Sequence, residues 1–300
     1  MREKETKSAG AGPWFCSVGA LDFSARSTPS PARPSADACW FGASGREPAY
    51  LRTRGAAWEA VAGWAEAATR DGPALLGVDF ALGFPTGAAG ALGVDGWRGV
   101  WSLLAGLVED DPRSNANNRF EAAAGLNRRV GAAPGGGPWW GCPPAQASAS
   151  LTPRRGFGWP VVGASGAELP RMRRADLACP GVQEVWKLLG AGSVGSQTLL
   201  GVAGLERLRG RFRFRGRVRV WPFERADAPG AGELWVAEAW PGLLEAEVRA
   251  SAHGIRDAAQ VDAWVRWAEA GVAGAWAAPL PEEAAEEGWI LGAPRSRVRR

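Results

Sequence analysis

The stretch Ala74–Gly87, ALLGVDFALGFPTG, decides the fold because it joins an uncharged strand to a single carboxylate. The run LLGV predicts a buried strand, and the glycine and proline of LGFP stop it. Asp79 therefore stands at the end of a strand. Ligands of open α/β sheets bind beyond the carboxyl ends of the strands, so Asp79 is a candidate for chemistry rather than for packing.

The chain before this stretch predicts three more strands and one helix. The strands are predicted at Trp14–Phe23, Ala38–Gly42 and Ala49–Arg54, and the helix, with apolar residues at helical spacing, at Ala57–Arg70. The order is therefore strand, strand, strand, helix, strand. Asp22 ends the first strand as Asp79 ends the fourth.

After Pro85 the pattern loosens, and Thr86 to about Arg215 is predicted to be a large insertion rather than an independent domain. Helices are expected within it at Gly96–Asp110 and Ser114–Arg129. Beyond it we predict a β-hairpin with strands at Arg217–Glu224 and Glu233–Trp240. A helix is predicted next, at Asp257–Ala270. We expect one domain over residues 14–292, a disordered tail at 1–13 and a basic tail at 293–300.

Composition excludes several classes of function. No run reaches the roughly 18 apolar residues of a membrane span, and the N-terminus lacks an apolar secretory region, so we expect a cytoplasmic protein that does not enter a membrane. The four cysteines are widely spaced, which fits reduced thiols. His253 is the only histidine, which excludes zinc sites built on several histidines.

Four carboxylates follow strands or open a helix, and together they predict a metal site. They are Asp22, Asp79, Glu238 and Asp257. Acidic groups that meet at one sheet edge repel each other unless a cation neutralises them, and oxygen ligands select Mg²⁺ or Mn²⁺. Two such ions about 4 Å apart can activate water and stabilise a leaving oxygen. A single aspartate in such a position also serves as a turn former or helix cap.

Several motifs resemble a bacterial family of unknown function whose members are predicted RNase-H-like nucleases. The resemblance runs from about Val18 to Gly292 and rests on VGALDFSA, LLGVDFALGFP, NNRF, VWKLLGAGSVGSQTLLG, VWPFE, WVAEAWPGLL and RDAAQVDA. It implies an α/β fold with an RNase-H-like mixed sheet, flanking helices and a large insertion between the fourth and fifth strands. It also implies a nuclease assignment, and some similar proteins carry a cobalamin-biosynthesis label.

A second motif, GAGSVG at Gly190–Gly195, matches the dinucleotide-binding pattern GxGxxG. Val185–Leu189 is a possible preceding strand, but the acid required about 20 residues later is missing. We therefore favour a loop in which Ser193, Ser196 and Gln197 cap a helix or line a cleft. Lys187 either contacts a phosphate or is solvated.

Arginines occupy every odd position from Arg207 to Arg219, including Arg213 and Arg215. If this segment is extended, all of them share one face. Such a row suits a phosphate backbone, and it equally suits an edge strand that avoids pairing with other chains.

The NNRF motif places Asn118 and Arg119 in a polar cluster that suits an anion or a flipped base, although small polar residues near helix starts are also common caps. Three tryptophans in loop-like sequence are candidates for base stacking. They are Trp139, Trp140 and Trp159.

These observations favour a metal-dependent phosphodiesterase acting on nucleic acid or a nucleotide-like substrate. Asp22, Asp79 and Asp257 are expected to hold Mg²⁺ or Mn²⁺, with Glu238 as a fourth ligand or the group that orients water. Two alternatives stay open: a non-catalytic protein that binds a nucleotide or nucleic acid in the same cleft, and an enzyme of cobalamin-related cofactor metabolism.

Overall fold

The computed structural model describes residues 14–295 except 132, 134, 212, 213 and 227. The tail predicted at 1–13 and positions 296–300 of the basic tail lie outside the described residues. Within the described part, none of the helices combines the length and apolar character needed to cross a membrane.

The fold is α/β and is built on a mixed six-stranded sheet, which confirms that part of the prediction. Its strands are β1 (Ser17–Asp22), β2 (Cys39–Ala43), β3 (Arg46–Leu51), β4 (Ala74–Val78), β7 (Val218–Val220) and β8 (Leu234–Glu238). β5 (Val161–Val162) and β6 (Glu168–Leu169) form a separate antiparallel pair.

The strand order across the large sheet is β3-β2-β1-β4-β8-β7. β1, β4, β8 and β7 run parallel, whereas β2 is antiparallel to both β1 and β3. The predicted hairpin is therefore wrong, since β7 and β8 are parallel neighbours. Parallel pairing needs a crossover connection, so the loop between them does not turn the chain directly back.

The described residues contain ten α-helices. These are α1 (Arg54–Ala68), α2 (Ala88–Ala91), α3 (Gly96–Leu107), α4 (Arg119–Val130), α5 (Arg174–Ala178), α6 (Gly195–Gly210), α7 (Glu245–Ala250), α8 (Arg256–Ala270), α9 (Ala273–Ala277) and α10 (Ala284–Glu287). Short 3₁₀ turns lie at Pro144–Gln146 and Pro241–Leu244. The described part of 86–215 adds no strand to the large sheet.

β4 is buried on both faces and divides the core into two layers. Leu76 and Val78 face the layer that contains α1 and α6, whereas Leu75 faces the layer that contains α8. A Cβ at Gly77 would lie 2.5 Å from the Trp264 ring of α8. Glycine at this position therefore lets an indole pack directly on the central strand.

Because helix α6 contains part of the arginine segment, the arginines do not share one extended face. Gly195–Gly210 is helical, so Arg207 and Arg209 lie on a helix and share no extended face with Arg219 on β7. Helical spacing distributes alternate residues around the axis. Leu199, Leu205 and their neighbours on α6 join the core, and this burial outweighs the pattern of alternating charge.

Candidate functional site

A cleft of about 600 Å³ opens where the parallel strands β1, β4 and β8 end. Asp79 follows β4 directly and lines it, as does Glu238, the last residue of β8. Their common edge follows from the parallel register, which pairs Leu21 with Val78 and Val78 with Glu238. The strand-end acids are thereby brought to one side of the sheet.

Asp22 and Asp79 are in contact and share a hydrogen bond between their carboxyl groups. Burial is the main cause of the raised pKa of Asp22, and the charges of Asp79 and Asp257 add to it. Burial also raises the pKa of Asp79 to about 7, although the Phe23 N–H, 2.8 Å from Asp79 Oδ1, opposes the shift. The pair therefore holds a proton near neutral pH.

Asp257 lies in the first turn of α8 and contributes to the same negative field. Its Oδ2 accepts the backbone N–H of Asp37 at 2.7 Å, and the Ala38 amide also donates to the carboxylate. Burial raises the pKa of Asp257. Asp37 has a left-handed backbone (φ 55°) and pairs with Arg26 at 3.7 Å. Asp257 thus anchors the loop before β2 while facing the aspartate pair.

Glu238 lines the cleft, but its carboxylate is engaged by an arginine. Its two oxygens accept from Arg173 Nη1 and Nη2 at 2.7 and 2.6 Å, and Leu82 N–H donates to Oε2 at 3.1 Å. Arg173 also pairs with Asp176 at 2.6 Å, and all three side chains are buried. Glu238 therefore fixes Arg173 and the chain after β4, and protein donors already engage both of its oxygens.

Arg119, at the start of α4, is the most deeply buried cation in the cleft besides Arg173, with 8% of its surface exposed. Its Nε donates to Ser196 Oγ at 3.0 Å, and its Nη1 donates to Asn117 and Ser27 at 2.7 and 2.8 Å. Burial, with a contribution from Arg54, lowers the Arg119 pKa to about 10. Among the described residues, no carboxylate forms an ion pair with it.

The GAGSVG segment forms the loop that leads into α6 and another wall of the cleft. Gly190 and Gly192 have positive φ angles of 106° and 70°, and Ser193 and Gln197 line the cleft. Gln197 Nε2 donates to the Phe23 carbonyl at 2.5 Å. The possible strand at Val185–Leu189 is not formed, and only an isolated bridge joins Lys187 to Trp140.

The other predicted binding residues lie elsewhere. Asn118 bonds to the backbone of Leu107 and Glu109, and Lys187 Nζ donates to the Ala191 carbonyl at 2.9 Å. Arg215 is exposed and does not line the cleft. Arg213 is outside the described residues.

Of the tryptophans proposed for base stacking, Trp139 is buried, whereas Trp140 and Trp159 are half-buried. Trp139 is 1% exposed and meets Trp186 edge to face, with ring centroids 4.8 Å apart. Trp159 stacks on Trp186, and Trp140 donates to Glu184 at 2.7 Å. Trp139 is therefore excluded as a stacking platform, because a ligand has no access to its ring.

Sequence reasoning missed several cleft residues. Arg26, Asp37, Trp240 and Gln260 all line the cleft. Gln260 follows Asp257 by three residues on α8, so helical spacing was an available signal for it. Arg26 and Asp37 lie between predicted strands, where the sequence has no periodicity to show which side chains face inward.

Among the described residues, no group of three or more histidine, cysteine, aspartate or glutamate side chains is arranged to hold a metal ion. The contacting carboxyl groups of Asp22 and Asp79 nevertheless offer the hard oxygen ligands that Mg²⁺ and Mn²⁺ prefer. No family model, curated protein or solved structure matches this chain. The chemistry of the cleft is therefore the basis for assigning a function.

Proposed function

We propose that this chain is an RNase-H-like hydrolase that cleaves phosphoester bonds of nucleic acid or nucleotides with the help of Mg²⁺ or Mn²⁺. The strand order β3-β2-β1-β4-β8 supports this proposal, with acids at the ends of β1 and β4 and at the start of α8.

The observation that carries the proposal is the contact between Asp22 and Asp79. The Asp22 and Asp79 carboxyl groups are half-buried and in contact, so both cannot ionise without a compensating charge, and a shared proton is one such compensation. A divalent cation is the alternative counter-charge, and the oxygens of Asp22 and Asp79 would hold it. When bound, the cation would lower the pKa of a water molecule and stabilise charge on a phosphoryl oxygen.

The protein groups around the pair have distinct roles in this proposal. The Phe23 amide orients Asp79. Asp257 adds negative charge and positions the loop that carries Asp37. The buried Arg173–Glu238 pair holds Leu82, and with it the chain that follows Asp79. Fixed orientation of a reacting constellation is a main source of catalytic power.

The test is hydrolysis of an activated phosphodiester, bis(p-nitrophenyl) phosphate, and of single-stranded oligonucleotides and nucleotides, in Mn²⁺ and in EDTA. Asp79→Asn and Asp22→Asn should each abolish the metal-dependent rate while the circular dichroism spectrum stays unchanged. Asp71→Asn is the matched control, because Asp71 is exposed and does not line the cleft. Undiminished hydrolysis by folded Asp79→Asn protein would refute the assignment.

The engagement of Asp257 by the Asp37 amide favours a second candidate, a binding protein that uses the cleft without catalysis. Calorimetric titration with Mn²⁺ separates the two candidates. The hydrolase binds Mn²⁺, and Asp22→Asn removes that binding, whereas a binding protein shows neither effect. The third alternative, cofactor metabolism, rested on GAGSVG and on the cobalamin-biosynthesis label of some similar proteins. The strand that could precede GAGSVG is not formed.

A further inference from the structure

The wall of the cleft formed by α4, α6 and the loop after β1 carries positive charge without full compensation. Arg119 Nη2 has no hydrogen-bond acceptor among the described residues, although the side chain is more than nine-tenths buried. Arg26 Nε is also buried without a partner, while its Nη1 lies 3.7 Å from Asp37. Buried cationic donors are stabilised by an anion that accepts from them.

The first turn of α6 adds backbone donors to this wall. Gly195 N–H donates to the Lys187 carbonyl and Thr198 N–H to that of Val194. The amides of Ser196 and Gln197 between them have no acceptor among the described residues. Ser196 Oγ accepts from Arg119 Nε, so it ties the guanidinium to the start of this 16-residue helix. Free amides at a helix N-terminus bind anions well.

This wall lies close to the aspartate pair. Phe23 donates its N–H to Asp79 Oδ1 at 2.8 Å and accepts from Gln197 Nε2 at 2.5 Å through its carbonyl. One residue spans at most about 3.6 Å, so Asp79 Oδ1 and Gln197 Nε2 are no more than about 9 Å apart. A single phosphate ester can therefore face Asp79 and the start of α6 at once.

We propose that Arg119, Arg26 and the Ser196 and Gln197 amides bind a phosphate group of the substrate, and that this substrate is a small phosphate ester of nucleotide size. The inference rests on the proposed function, because the phosphate held here is the one presented to the aspartates. The volume of about 600 Å³ falls within the range of small-molecule pockets. Trp240 and Val182 add an apolar part to the same cleft.

Most of the described arginines that the sequence offered for a long phosphate backbone are engaged by the protein itself. Arg209 pairs with Glu206 at 3.2 Å, Arg211 with Glu59 at 2.8 Å and Arg219 with Glu233 at 3.2 Å. Arg207 and Arg217 instead donate hydrogen bonds to backbone carbonyls. Carboxylates therefore neutralise three of the six described members of this segment, and none of the six lines the cleft, which favours the smaller substrate.

The experiment measures binding in EDTA, so that it is independent of a metal. The probes for calorimetry are inorganic phosphate, adenosine 5′-monophosphate and a 20-nucleotide single-stranded DNA. Wild-type protein should bind the monophosphate at least as tightly as the DNA. Arg119→Gln should weaken monophosphate binding about tenfold or more, as expected for loss of a charged hydrogen bond. Arg215→Gln removes the same charge from an exposed position outside the cleft and should leave the affinity unchanged.

Arg26→Gln is the second variant and should weaken monophosphate binding several-fold. It tests the site even if Arg119→Gln fails to fold. Unchanged affinity in either folded variant, binding of no phosphate probe, or DNA bound more than tenfold tighter than the monophosphate would overturn the inference. The proposed function can fail separately: phosphate binding without metal-dependent hydrolysis rejects only the hydrolase. Metal-dependent hydrolysis that is unchanged in Arg119→Gln and Arg26→Gln rejects only the phosphate site.

Discussion

Replacing Asp79 by asparagine should stabilise the fold, and the gain should grow with pH. In the native protein the pKa of Asp79 is raised from 3.8 to about 7. Between these values the native state binds more protons than the unfolded chain, so wild-type stability falls as pH rises from about 4 to about 7. Asparagine mimics the protonated carboxyl group. Its Oδ1 can still accept from the Phe23 N–H.

The size of the effect follows from the shift. One pKa unit corresponds to about 1.4 kcal/mol, so the full shift sets an upper limit of about 4 kcal/mol. Stability is compared as the free energy of unfolding of Asp79→Asn minus that of wild type. We expect this difference to be about 2–4 kcal/mol larger at pH 8 than at pH 4. For a chain of 300 residues that difference raises the melting temperature by roughly 3–6 °C.

The assay is urea and thermal unfolding of both proteins from pH 4 to pH 8 in EDTA, with Asp71→Asn as the control. A stability difference between Asp79→Asn and wild type that stays constant over this range would show that the aspartates do not share a proton. Mg²⁺ at pH 8 provides a further comparison. It should stabilise wild type by about 1.4 kcal/mol at ten times its dissociation constant, and it should leave the variant unchanged.

Two further substitutions test the packing that positions the cleft. Arg173→Met should lower the free energy of unfolding by about 3–5 kcal/mol, because Asp176 and Glu238 would be left buried without a counter-charge. A loss below about 1 kcal/mol in urea unfolding would contradict this ion-pair network. Gly77→Ala should cost about 1–3 kcal/mol, since the new methyl group would lie 2.5 Å from the Trp264 ring, and an unchanged melting temperature would show that α8 does not pack so closely on β4.

The central strands were predictable from the sequence because burial on both faces leaves an uncharged run. β4 spans Ala74–Val78, inside the quoted stretch, and β1 ends at Asp22 as expected. The direction of β7 could not be read in this way. A β-hairpin and a parallel pair joined by a crossover both show two apolar runs separated by a polar loop, so β8 gives the same local pattern in either arrangement.

For the site, it was easier to predict which residues carry reactive groups than to predict which residues those groups pair with. The strand-end positions of Asp22 and Asp79 placed them at one edge, because parallel neighbours end together. Glu238 satisfies the same rule, but Arg173, 65 residues earlier, engages its carboxylate. Nothing local to Glu238 signals a partner so distant in sequence. Long-range ion pairs of this kind depend on how the insertion packs, which periodicity does not report.

The two halves of the cleft carry opposite charges that do not neutralise each other. Asp22 and Asp79 rely on a proton, while Arg119 is buried without a carboxylate partner. Phe23 lies between Asp79 and the start of α6 and is hydrogen-bonded to both sides. In the proposed function, a cation would replace the proton on one side, and a phosphate group would accept from the arginine on the other. A metal-bound phosphate ester carries both charges at once, so we propose it as the class of ligand that would satisfy both halves of the cleft.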